Sequence, residues 1–191
     1  MPRPDRSRAA LVASAATLFR RQGYAATGVN QLLDAAGVKP GSLYHHFPDG
    51  KAGLAAAVVE AAGHDIERLL RHFLSTTATP ADVVDRWLDM LADGLSRDAR
   101  DGCPIEPIAT ESVHGNDVVR TASARAFDGW CGAVAERLRA DGWPPDAADR
   151  TARSIIALIE GALILSRIAG DRATLDAAKG AARALLEPPA P

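Results

Sequence analysis

The 191-residue chain is 47% hydrophobic with a net charge of −2, enough apolar material for one globular unit or for a small module joined to a larger one. It has no run of about 18 uncharged apolar residues, and its first ten residues, MPRPDRSRAA, lack the apolar stretch of a secretory leader, so a soluble cytoplasmic protein is expected. Two cysteines, Cys103 and Cys131, cannot make a disulfide framework in a chain this long; reduced thiols are expected, and a redox-sensing role for either stays open.

The elements are all helical. SRAALVASAATLFRRQG sets Ala10, Leu11, Ala15, Leu18 and Phe19 at helical spacing and stops at Gly23. Thr27 precedes a second helix of barely two turns, VNQLLDAAG, with Val29, Leu32, Leu33 and Ala36 on one face. Pro40, at a position where its missing N–H is harmless, opens a third short helix, GSLYHHF. From Lys51 to Phe73 the residues Leu54, Val58, Ala62, Ile66, Leu69 and Phe73 recur every three or four, predicting a fourth helix about 35 Å long. Thr79-Pro80 opens a fifth, carrying Trp87, Leu88, Leu91 and Leu95. A short helix near 105–113 and long ones near 117–140, 146–169 and 172–186 complete the chain.

The second and third helices, joined by the short turn AGVK, form a helix-turn-helix. On a wheel of the third, Leu43 and Phe47 share one side, Gly41, Ser42 and His45 the other, and Tyr44 and His46 the flanks. Two anchors hold such a helix and the rest is offered to a DNA major groove. Charge agrees: residues 1–51 carry seven Lys or Arg against three Asp, whereas the remaining 140 residues carry fifteen basic and twenty-one acidic side chains. A positive head on a negative body creates a local field that suits a polyanion, although segregation of solvated charges by chance gives the same count.

Over roughly residues 8–60 the chain resembles the N-terminal DNA-binding module of the TetR family of transcriptional regulators. The likeness lies in Phe-x-x-x-Gly-Tyr-x-x-Thr, Ala-Ala-Gly-Val at the turn, Leu-Tyr-His-His-Phe and a Lys opening the fourth helix. FPDGK holds one residue more than the usual spacing, a variant resembling the LmrA and YxaF subgroup. The resemblance implies phosphate contacts from Thr27, Tyr44, His46 and Lys51, and base or near-base contacts from Lys39, Pro40, Gly41, Ser42 and His45. It implies an all-α fold in which residues 1–51 form a three-helix DNA-binding head and residues 52–191 an effector-binding and dimerisation body, joined by the long fourth helix. It also implies a homodimer on a palindromic DNA operator, with a small apolar effector releasing a repressor; no cofactor and no membrane partner are implied.

The body carries SIIALIEGALILSRIAG, whose isoleucines and leucines exceed one helical face, so the last two long helices are expected to pair with their copies, with Leu163 and Ile164 in the seam. Trp87, Met90, Ile108, Phe127 and Trp130 are candidates for an effector cavity, with Glu111, His114 and Glu160 as polar groups to orient a ligand; each could equally fill ordinary core or surface. An enzyme is the competing class. Glu111-x-x-His114 has the spacing of one half of a di-metal bundle site, but no second Glu-x-x-His exists. Phosphate-loop, zinc and nucleophile motifs are absent too, so no catalytic or metal residue is expected.

Overall fold

The structure, a computed structural model, describes residues 6–100, 102–112 and 115–187. Among these residues nine α-helices and no strand are present: α1 (Arg6–Gln22), α2 (Val29–Ala36), α3 (Pro40–His46), α4 (Lys51–Thr76), α5 (Pro80–Arg97), α6 (Glu106–Ser112), α7 (Asp117–Ala140), α8 (Pro145–Ala169) and α9 (Ala173–Leu185). Within the same residues no helix is long and apolar enough to cross a membrane.

Two compact units form. The first comprises Met1–His64 and Pro104–Ala126, the second Asp65–Cys103 and Phe127–Pro191. Residue 51, the expected domain boundary, falls inside the first of these units. Leu54, Val58 and Val59 continue the core of the first unit into α4, and Ile105, Ile108 and Val119 bring α6 and the start of α7 into it. Gly63 permits the close approach of α7, since a Cβ at Gly63 would lie 2.7 Å from that of Ala126.

In the first unit, Leu11, Ala15 and Phe19 recur every four residues and bury one stripe of α1. They meet Leu32 and Leu33 from α2 and Leu43 from α3, all with at most 5% exposure. In the second unit α9 packs on α5 and α8. Val83, Val84, Trp87 and Leu88 face inward from α5, Ile155, Ile159 and Leu163 from α8, and Leu175, Ala178 and Ala182 from α9. Thr79 caps α5 by accepting from the Asp82 amide at 3.2 Å. Around this core Asp89 pairs with Lys179 at 2.6 Å and Arg172 at 3.0 Å, and Arg183 pairs with Asp85.

Candidate nucleic-acid interface

The third helix has two faces, as its sequence implies. Leu43 is fully buried and Phe47, just past its end, is 4% exposed. Lys39, Pro40, Gly41, Tyr44 and His45 are exposed, and Ser42 and His46 are half-buried. The imidazoles of His45 and His46 meet edge to face at 4.7 Å. Lys39 occupies the N-cap position, and its side chain makes no capping bond. Lacking an acceptor, a lysine there cannot satisfy the free amides of the first turn, and its ammonium is left pointing outward. At the start of α2 the N-cap is Gly28, again without a side-chain cap and with no acid in the first turn. Exposed first-turn amides at the positive end of a helix are chemically suited to a phosphate.

Thr27 departs from expectation. It is wholly buried, its hydroxyl donates to the Gly23 carbonyl at 2.6 Å, and it accepts from the Gln22 side-chain amide at 3.2 Å. Engaged on both sides, this hydroxyl closes the turn before α2 and does not face outward for a phosphate. Gln22 and Gln31 exchange reciprocal amide bonds of 2.7 and 3.1 Å, tying α1 to α2 beside it.

Lys51, the first residue of α4, is half-buried. Its Nζ lies 4.2 Å from the centroid of the Tyr24 ring, a cation–π contact. Burial lowers the ammonium pKa, and the Glu111 carboxylate pushes it back up. Glu111 itself is exposed on α6 and accepts a 2.5 Å hydrogen bond from the Ala25 amide. This carboxylate, a candidate for orienting a ligand, is thus engaged by the turn before α2 within the first unit. Sequence motifs do not pick out Gln22, and the motif that contains Tyr24 does not show its contact with Lys51, 27 residues on.

The other effector candidates fall in both units. Ile108 is 1% exposed in the first unit, whereas Trp87, Met90, Phe127 and Trp130 belong to the second. There Trp87 meets Phe73 edge-on at 6.0 Å, and Phe127 meets Trp130 at 4.8 Å. An open groove of about 290 Å³ at the C-terminal ends of α5 and α8 is lined by Leu95, Ser96, Ser166, Arg167 and Arg172 and by none of the six candidates. Glu160 is half-buried in α8, and His114 lies outside the described residues. Cys103 is buried; burial pushes the Cys131 thiol pKa up, which disfavours the reactive thiolate. Among the described residues no cluster of three His, Cys, Asp or Glu could hold a metal ion.

Residues 11–58 match the model for bacterial regulatory proteins of the tetR family, and residues 80–181 match that for the C-terminal domain of LmrA/YxaF-like transcriptional regulators. The chain is 34% identical over 181 residues to an HTH-type transcriptional regulator of Mycobacterium tuberculosis, covering 92% of each. It is 31% identical over 161 residues to the HTH-type transcriptional regulator LmrA of Bacillus subtilis, covering 84% of this chain and 86% of LmrA. The crystal structure of the regulatory protein TetR from Rhodobacter sphaeroides superposes with a TM-score of 0.80 at 25% identity, covering 95% of this chain and 99% of that one. With its helix-turn-helix matched at one end and its C-terminal helices at the other, the chain belongs to the TetR family of bacterial transcriptional regulators, in the branch with an LmrA/YxaF-like C-terminal domain.

Proposed function

We propose that the protein is a repressor that binds a palindromic operator as a homodimer and leaves it when a small apolar effector binds. The observation that carries the reading is α3: Leu43 and Phe47 bury one side, and Lys39, Gly41, Ser42, Tyr44, His45 and His46 remain for a major groove. Ser42 and His45 have donors and acceptors for base edges, whereas Tyr44, His46 and Lys51 suit the flanking phosphates. One helix of seven residues contacts few base pairs. Two copies reading half-sites about 34–36 Å apart supply the missing specificity.

The second copy has a surface to meet. Leu165 is 56% exposed, Ile168 77% and Leu185 41%, all on the last two helices. Leu163 is 3% exposed within its own protomer and Ile164 is half-buried, so the proposed seam shifts to Leu165 and Ile168. Effector binding acts in this proposal through α4, whose residues fall in both units. A ligand that prefers the non-binding arrangement by about 3 kcal/mol lowers operator affinity roughly 150-fold. Selection from a random duplex pool tests the reading: enrichment of one palindrome is expected, and the absence of any palindrome refutes it.

A further inference from the structure

The turn between α1 and α2 is held from a distant part of the chain. Gly23 stands at φ +86°, and a Cβ there would lie 2.5 Å from Glu111 Oε1, so the missing side chain gives the carboxylate its place. The other carboxylate oxygen takes the Ala25 amide. One side chain, 86 residues beyond the turn, thus holds the Ala25 amide and fills the space over Gly23.

What the grip controls follows from the turn's other bonds. The Gly23 carbonyl accepts from the Thr27 hydroxyl and the Tyr24 carbonyl from the Thr27 amide at 3.2 Å, so the path of residues 23–27 leads directly into α2. The Tyr24 ring, in turn, is the platform on which the Lys51 ammonium rests. Tyr24 lies between Gly23 and Ala25, so fixing Ala25 constrains both the entry to the helix-turn-helix and the position of a cation proposed to meet phosphate.

We propose that Glu111 is a positioning residue for DNA binding: its carboxylate clasps the α1–α2 turn and thereby presets α2 and Lys51 for the duplex. The inference rests on the operator-binding reading above. Glu111→Ala should weaken operator binding about five-fold, the ratio that one charge-assisted hydrogen bond at a partly exposed site supplies. Glu111→Gln keeps a carbonyl acceptor for Ala25 and should stay within about two-fold of wild type. Amide hydrogen exchange supplies a readout without DNA: Ala25 should lose protection in Glu111→Ala and retain it in Glu111→Gln.

Fluorescence anisotropy on the selected operator, with melting curves of each variant, completes the test. Wild-type affinity or tighter binding by Glu111→Ala overturns the proposal, as does a Glu111→Gln loss as deep as that of alanine. A loss that only tracks the fraction of protein still folded overturns it too. Failure of the wild-type chain to bind any duplex would instead refute the regulator reading, whereas wild-type binding with indifferent variants refutes the clasp alone.

Discussion

Arg137→Met removes one cation that finishes the long fourth helix. From α7, Arg137 Nη1 donates to the carbonyls of Leu74 and, at 3.3 Å, Thr77, and Nη2 donates to that of Ala78 at 2.7 Å. Nε meanwhile donates to the Asp141 carboxylate at 3.0 and 3.1 Å, which holds the guanidinium in place. The last carbonyls of a helix have no partner along the chain, and a cation among them also meets the negative end of the dipole. Methionine preserves the stem and removes every donor. The Arg137 side chain is only 18% exposed, so water replaces the lost donors incompletely. Two part-buried charge-assisted bonds at about 1–1.5 kcal/mol each, with the exposed Ala78 bond discounted, make the loss about 2–3 kcal/mol. For a chain of this size that corresponds to a fall in Tm of about 5–10 °C. Circular dichroism melts at fixed protomer concentration measure it, against Arg139→Met as a control whose ion pair with Asp149 is exposed on both sides; there the fall should be about 2 °C at most. A shift below about 1 °C for Arg137→Met, or one no larger than the control's, would refute the capping argument.

Replacing Leu165 and Ile168 together with Glu should give a folded monomer by light scattering, because both side chains are exposed in the protomer and an unpaired charge in a seam is costly; a persistent dimer would place the seam elsewhere. Lys51→Ala should flatten the dependence of log affinity on log salt by about 1.8 in a dimer using both lysines, and an unchanged slope would show that the Tyr24 ring retains the ammonium when DNA binds. His45→Ala should instead relax preference at one or two base positions per half-site, by about 1–3 kcal/mol if its contact is direct, and unchanged specificity would remove it from the base-reading set. Acid should weaken the second unit: Lys179 holds the Asp89 carboxyl below its ordinary pKa, and Arg71 does the same for Glu136. Carboxyls depressed in the folded state contribute fully above their unfolded values and lose that contribution as pH falls through the folded ones. Urea midpoints should therefore drop from pH about 5 to about 3, less steeply in Lys179→Met, and an equal slope in that variant would exclude the Asp89 pair as a cause.

The helices were legible because each carries its own periodic apolar stripe. Leu11, Ala15 and Phe19 predict α1 without reference to any neighbour, and Thr79-Pro80 announces the start of α5 by local chemistry alone. The two-faced character of α3 is legible for the same reason, since Leu43 and Phe47 lie four apart and Gly41, Ser42 and His45 occupy the opposite side. Relations across the chain are not written in that code. Thr27 matches a family position for phosphate contact, yet its burial depends on Gln22 and the Gly23 carbonyl folding around it. Glu111 reads as a ligand-orienting or surface acid, because the amide that engages it is 86 residues away. Leu163 and Leu165 are equally apolar on paper; only the packing of α8 in its protomer separates the buried one from the exposed one.

The construction of α3 bears on how such a regulator diverges. Leu43 and Phe47 supply the helix's anchors, while Gly41, Tyr44 and His45 stand exposed. Substitutions at exposed positions usually alter stability by no more than about 0.5 kcal/mol. Under the proposed reading, drift at these three positions after a gene duplication would therefore retarget one copy to a new operator while its fold remained as it was. Natural variation would concentrate in the outward residues of this helix and spare the two that hold it down.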